Sequence, residues 1–317
     1  MHQRIDRPAT YEGRSLPRPD EEIVDQGLSF DVGTLMGRRQ MLRAVGLGAA
    51  ALGLAACGAG SRAGTSSSAT SSSSSTGSSA ASASGEIPNE TAGPYPGDGS
   101  NGPDVLDQSG IVRSDLRSSF GASTGTAEGV PMTLELTISD LTNGGAPFAG
   151  VAVYVWHCDR NGEYSMYSAD IADQNYLRGV QIADAAGIVK YTSIFPAFYS
   201  GRWPHVHFEV YPGQASITDA SNAIATSQLA LPQDVCEQVY ATAGYAKSVE
   251  NLAQVSLQTD NVFGDDGAVH QLATVSGDVE GGFAVSLAVG VDTATTPSGG
   301  RAPGGAPSSG GPGGPGG

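Results

Sequence analysis

The sequence predicts an all-β fold, an antiparallel β-sandwich with long loops and a few short helices. Two patterns and the composition carry that expectation. Apolar residues alternate with polar ones over runs of strand length, and glycine-containing turn signals separate the runs. Gly numbers 45, aromatic residues make up 7% and charged residues 15%, which suits a loop-rich β protein and excludes a coiled coil.

In chain order, Met132, Leu134, Leu136 and Ile138 alternate with polar neighbours. Val151, Val153 and Val155 then alternate with Ala152, Tyr154 and Trp156. Further strand-like runs cover 177–183, 187–194, 205–211, 270–276 and 283–291. Asn143-Gly144-Gly145, Asn161-Gly162, Ala186-Gly187 and Gly281-Gly282 mark turns. One helical candidate, Asp234 to Tyr245, follows Pro232.

The flanks read differently. Arg38-Arg39 precede an uncharged stretch from Ala44 to Ala56, similar to a twin-arginine export signal. That stretch is about 13 residues, short of the roughly 20 that span a bilayer, so residues 1–57 are expected to be a signal. Leu54-Ala55-Ala56-Cys57 resembles a lipobox, in which the cysteine becomes the lipidated N-terminus. The expected location is therefore the outer face of the cell membrane, through a lipid anchor at Cys57, or the medium if Cys57 merely follows an Ala-rich signal. The leader is long enough that Met36 competes with Met1 as the start. Residues 58–85 (Ser, Ala and Gly) and 293–317 (Gly and Pro) cannot bury enough apolar surface to offset their ordering entropy, and are expected to be a disordered tether and a disordered tail. One folded domain over 86–292 remains.

Lys and Arg number 16 against 32 Asp and Glu, a net charge of −16. Residues 1–57 hold seven of each sign, so the whole acidic excess belongs to the remainder. Such a surface repels a phosphate backbone, which argues against nucleic acid as a partner.

The chemistry concentrates between Trp156 and Tyr211. In His205-Val206-His207, strand alternation sends both imidazoles to one face and Val206 and Phe208 to the other. Such a pair is either a metal site or an exposed dyad. A cupin spacing is missing, because Glu209 follows too soon and the sole later histidine is His270; the zinc-helix pattern His-Glu-x-x-His is missing too.

Tyr164 stands in Asp159-Arg160-Asn161-Gly162-Glu163-Tyr164-Ser165, and Tyr199 in Pro196-Ala197-Phe198-Tyr199. Together with Leu177-Arg178-Gly179 and Arg202-Trp203-Pro204-His205-Val206-His207, this order resembles the iron core of the intradiol ring-cleaving dioxygenases. Glu90-Thr91-Ala92-Gly93-Pro94-Tyr95 and Val112-Arg113-Ser114-Asp115 resemble that family's opening segment, and Thr226-Ser227-Gln228-Leu229 its strand after the ligands.

The resemblance implies a mononuclear non-haem Fe(3+) held by Tyr164, Tyr199, His205 and His207. A phenol with a pKa of about 10 ligates only when deprotonated, and a hard trivalent cation supplies the field that removes its proton. The implied reaction inserts O2 into a catechol-type aromatic diol and yields a cis,cis-muconate-type diacid. Arg202 would face the substrate and stabilise negative charge, and Gln228 would support the pocket; both are carried as catalytic candidates with Tyr164. Tyr95 either lines the pocket or packs beside it, whereas Tyr154, Tyr167, Tyr191 and Tyr211 are expected in the core or on the surface. The family often has glycine where Ala197 stands, so a positive φ there would be strained. The family's catechol-type members carry an N-terminal helical dimerisation region where this chain has signal and tether; oligomerisation is left open.

Two other readings compete. One is a non-catalytic β-sandwich surface lipoprotein or binding module, against which stand the four ligand types and Arg202. The other is a zinc hydrolase on His205 and His207, which lacks a third conventional ligand. With Cys57 lipidated, Cys158 and Cys236 form either a disulfide, as an oxidising compartment permits, or two free buried thiols.

Overall fold

The computed structural model describes residues 83–198 and 201–297, together with the residue pairs Thr10–Tyr11 and Arg14–Ser15. The chain divides into two units, Met1–Ala80 and Ala81–Gly317. In the first, Thr10–Tyr11 pairs antiparallel with Arg14–Ser15. Apart from those two residue pairs the expected signal lies outside the described residues, as do most of the tether and tail. Among the described residues no helix is long and apolar enough to cross a membrane.

The second unit is all-β, as expected, and is built from two sheets. The first contains β1 (Pro131–Asp140), β2 (Ala146–Pro147), β5 (Ile188–Ile194), β8 (Thr274–Asp278) and β9 (Gly282–Val291). Its order is β8-β9-β1, with β2 and β5 both on the far side of β1. The second sheet runs β4-β3-β6-β7, formed by β3 (Ala152–Trp156), β4 (Arg178–Ile182), β6 (His205–Tyr211) and β7 (Ala225–Ala230), and is antiparallel throughout.

One pairing departs from the antiparallel expectation. β9 runs parallel to β1 from Phe283↔Met132 to Val291↔Asp140. The β8–β9 hairpin sets the direction of β9, and alternation in sequence specifies a strand's faces but not its neighbour.

The core lies between the sheets. Met132, Leu134, Leu136 and Ile138 from β1 meet Val153 and Val155 from β3, and Val206, Phe208 and Val210 from β6. Each such side chain contributes about 1.5–3 kcal/mol when fully buried. A second apolar cluster covers the opposite face of the second sheet, where Ala152, Tyr154, Trp156, Val180 and Tyr211 pack under Ala92, Val105, Leu106 and Ile111. That covered outer face is where His205 and His207 point.

The helical segment is shorter than the expected 234–245. Helix α1 covers Gln233–Tyr240, and a second helix, α2 (Ala246–Leu252), follows it. The first helix ends at Tyr240 with Ala241 as its cap, and Gly244 in the connection to the second helix has φ +96. The run expected at 270–276 becomes a strand only from Thr274, because Gln271 and Leu272 donate to Ala268 O in a turn. Cys158 and Cys236 are both free and buried, so of the two alternatives the structure holds the thiols.

Candidate metal centre

Register assembles the site. Across the second sheet, Arg178 pairs with Trp156, Trp156 with His207, and His207 with Gln228. Cross-strand partners share a face, so four residues from four strands form one row on the outer face. His205 lies one step along on the same face.

Both imidazoles are buried. The His205 and His207 Nε2 atoms stand 3.0 Å apart, and His205 Nδ1 donates to Trp203 O at 2.5 Å. His207 stacks on Trp156 with centroids 4.8 Å apart and planes at 5°. Burial, then the charge of Arg202, lowers the His205 pKa to about 3. Burial, then His205 itself, takes His207 well below its ordinary value. Both rings are therefore neutral at pH 7 and carry the lone pairs that a metal needs.

Tyr164 is buried beside them, its ring 6.3 Å from that of His207. An Asx turn shapes its loop: Asp159 Oδ1 accepts from Asn161 N at 2.8 Å and Glu163 N at 3.0 Å. Tyr164 N then donates to Ser168 Oγ at 3.0 Å. The ring of Tyr95 packs on Tyr164 at 4.9 Å and on Tyr167 at 5.2 Å. Tyr199, the other expected tyrosine ligand, lies outside the described residues. Among the described non-glycine residues positive φ falls on Met166, Leu177 and Ala268, not on Ala197, so alanine is unstrained there.

Arg202 is held rather than free. Its Nε donates to Asp260 Oδ2 at 3.0 Å, and its Nη2 to Gln228 Oε1 at 2.7 Å and Asp260 Oδ1 at 3.3 Å. The Gln228 amide donates in turn to Thr91 O at 2.8 Å, which fixes its orientation. Burial by itself would raise the Asp260 pKa; Arg202 and the backbone donors around it outweigh burial and hold it below its ordinary value. Glu90 beside Thr91 behaves oppositely, pushed up to about 8 by burial and then by Asp265.

The expected residues His205, His207, Tyr164, Arg202 and Gln228 thus meet on one face. Tyr154 and Tyr211 are buried on that face too, donating to Pro96 O and Glu209 Oε2, and Tyr191 is buried in the inter-sheet core. Asp260 carries no signal in the sequence, and Glu90, Arg178 and Trp156 stand in the segments of the resemblance without a role. Only the Trp156 position on the His207 side of β3 could be anticipated, from alternation.

Among the described residues no group of three or more His, Cys, Asp or Glu side chains is placed to hold a metal ion. A tyrosine-based donor set is a different case. With His205 Nδ1 protonated by its carbonyl contact, His205 Nε2 offers a lone pair. His207 Nδ1 is buried without a hydrogen-bond partner, so either tautomer of His207 leaves one nitrogen unsatisfied. The 3.0 Å between the two Nε2 atoms suits two nitrogens that would share one cation, which would replace a contact between two basic nitrogens, while His207 Nδ1 would keep its proton and remain without a partner. The contact from Nδ1 of His205 to a backbone carbonyl is also the usual support of a ligating histidine.

Residues 101–217 match a family model described as Dioxygenase, over less than half of the chain. Among solved structures, an intradiol ring-cleavage dioxygenase from Tetranychus urticae is similar at a TM-score of 0.51 and 19% identity, over 66% of this chain and 95% of that one. The dioxygenase domain of a carbohydrate-binding fusion protein from Streptomyces sp. SirexAA-E aligns at 21% identity, over 66% of this chain and 99% of that one, with a TM-score of 0.42. Catechol 1,2-dioxygenase from Pseudomonas arvilla C-1 aligns at 21% identity over 60% of each chain, with a TM-score of 0.37. Residues 101–217 are thus similar to the Dioxygenase family, and the second unit has the β-sandwich fold of the Tetranychus urticae structure.

Proposed function

We propose that this protein is a mononuclear non-haem Fe(3+) intradiol dioxygenase acting on a catechol-type aromatic diol and O2, with Tyr164, Tyr199, His205 and His207 as ligands. The observation that carries the reading is the pair of buried, neutral imidazoles with Nε2 atoms 3.0 Å apart and a buried tyrosine alongside. Held by these residues, ferric iron would supply the activation of a catechol-type diol towards O2, and the product would be a cis,cis-muconate-type diacid.

The chain's own residues supply the rest. Tyr164 gives up its Oη proton in order to bind a cation. Arg202 cannot be deprotonated, and Asp260 and Gln228 hold its guanidinium beside the two histidines, where it stabilises negative charge developing on the ring without reorganising. Trp156, Tyr95 and the segment from Ala92 to Ile111 cover the face and exclude water. The four-ligand set with Arg202 disfavours a non-catalytic binding module. The test is the visible spectrum, with metal analysis, of purified residues 58–317 before and after anaerobic catechol. A tyrosinate-to-Fe(3+) charge-transfer band that shifts with catechol supports the reading. Protein that stays colourless after iron reconstitution overturns it in favour of the binding module.

Export through the twin-arginine route and lipid anchoring at Cys57 belong to the same proposal, supported by Arg38-Arg39 and by Leu54-Ala55-Ala56-Cys57. Radiolabelled palmitate should enter the wild-type chain and not Cys57→Ser; equal labelling of both would refute the anchor.

A further inference from the structure

At the end of the row opposite Gln228 sits Arg178, 1% exposed. All its N–H groups have acceptors. Nε donates to Ser165 Oγ at 3.1 Å; Nη1 to Pro96 O at 2.7 Å and Tyr154 Oη at 3.1 Å; Nη2 to Tyr95 O and Ser165 O at 2.9 Å each. None of these acceptors is a carboxylate. A buried guanidinium without a bound counter-charge is costly, and a position needed only for packing would accept an apolar side chain.

What the fork joins is specific. Apart from Tyr154 Oη on β3, its acceptors lie on the two segments that place the aromatic rings of the site: Tyr95–Pro96 and the residue next to Tyr164. The same segments meet again where Gly97 N donates to Tyr167 Oη at 2.8 Å, with the Arg178 guanidinium 5.4 Å from the Tyr167 ring centroid. A Cβ on Gly97, at φ +67, would stand 2.8 Å from Arg178 Nη1, so the approach requires glycine. Met166 (φ 72) and Leu177 (φ 58) hold left-handed backbone on either side of the clamp, and such strain persists only where the surroundings over-determine it. Arg178 itself is braced from behind, since Arg113 Nε and Nη2 donate to its carbonyl at 2.9 and 2.6 Å.

We propose that Arg178 is a positioning residue: its planar fork pins the Tyr164 loop to the Tyr95 segment and so sets the Tyr164 phenol against His207. This rests on the reading of Tyr164 as a metal ligand. Arg178→Lys in the full chain keeps the charge and removes the fork. Hydrogen exchange on the metal-free protein should be at least tenfold faster over 94–98 and 163–168, and unchanged in β1 and β9. After iron loading, the charge-transfer band should shift or weaken and kcat should fall at least tenfold.

Exchange and band both as in wild type would overturn the proposal. Faster local exchange with an unmoved band and kcat would overturn it equally, by reducing Arg178 to a structural tie. If Arg178→Lys gives no soluble protein, Ser165→Ala removes the Nε acceptor, together with the Ser165 Oγ donation to Tyr176 O, and decides by the same readouts, with a few-fold effect expected. Should wild-type protein take up no ferric ion, the metal reading fails by itself, while the exchange comparison still shows whether the clamp exists.

Discussion

Replacing Asp260 by Asn tests how far Arg202 depends on a carboxylate 58 residues away in sequence. The Asp260 side chain is 0% exposed and that of Arg202 12%, so neither can fall back on water. Oδ2 accepts from Arg202 Nε and from Trp203 N at 2.6 Å; Oδ1 accepts from Arg202 Nη2, Val262 N at 2.8 Å and Phe263 N at 3.1 Å. An asparagine does best by keeping its oxygen at Oδ1, which turns an NH2 group against two donors and leaves a buried guanidinium without its counter-charge. Breaking a buried pair in this way costs about 3–5 kcal/mol. In a domain of this size that lowers Tm by about 10 °C. Urea unfolding at several pH values is the assay. The folded-state pKa of Asp260 is depressed, so its contribution is present above the unfolded carboxylate pKa of about 3.9 and is lost as pH falls through the folded value. The Asp260→Asn variant should therefore be less stable at pH 7 and show a flatter acid limb. A loss below about 1 kcal/mol, with the wild-type acid limb intact, would show that the pair is worth no more than a surface ion pair and that Arg202 is not held as described.

Glu90, pushed up to about 8, stays protonated in the fold where the unfolded chain has ionised. Its contribution is therefore full at acid pH and is lost as pH rises from about 4.5 towards 8, at up to about 1.4 kcal/mol per unit. Glu90→Gln should reduce that slope in urea titrations without abolishing it, because Glu209 is also raised to about 8 by burial and then Asp98; an unchanged slope would contradict the assignment to Glu90. Gly93 has φ +75, and a Cβ there would stand 3.2 Å from His207 Cε1, so Gly93→Ala should cost about 1–2 kcal/mol and lower bound iron per chain, whereas full iron content by metal analysis would show that His207 tolerates the intrusion. With Arg202 already paired to Asp260, and Glu90 close by, a ring carboxylate finds no free cation among the described groups around Arg202. Neutral catechol should thus exceed 3,4-dihydroxybenzoate in kcat/KM by about tenfold, some 1.4 kcal/mol, and the reverse preference would sink this electrostatic account.

Alternation makes the faces of the strands legible in the sequence itself. His205 and His207 on one side and Val206 and Phe208 on the other follow from the two-residue period alone, as do the inward β1 residues. Alternation does not say which strands are neighbours. The parallel β1–β9 pairing and the row Arg178-Trp156-His207-Gln228 are matters of register between segments distant in sequence, so Arg178 can stand in a motif and still have no visible role. The motif order locates Arg202 and Gln228, but not the hydrogen bond between them or the carboxylate that holds Arg202. Asp260 follows no periodic pattern and sits in a loop whose only constraint is to reach back to Trp203. The helices show the same limit at short range: a helical segment from Asp234 is legible, while its end at Tyr240 and the restart at Ala246 are not.

The distribution of charge explains why the site's polar residues are only half visible in the sequence. A residue that would ligate metal must be of a particular chemical type, so histidine and tyrosine announce themselves. A residue that orients another by hydrogen bonding needs only a donor or acceptor in the right place, and backbone carbonyls serve as well as side chains. Arg178 is satisfied by three carbonyls and two hydroxyls, and Gln228 is fixed by the carbonyl of Thr91; of those acceptors only Ser165 Oγ and Tyr154 Oη belong to side chains that a motif could record. The ligands are thus encoded by residue type, and their placement by backbone that the sheet and the 92–111 cover bring within reach.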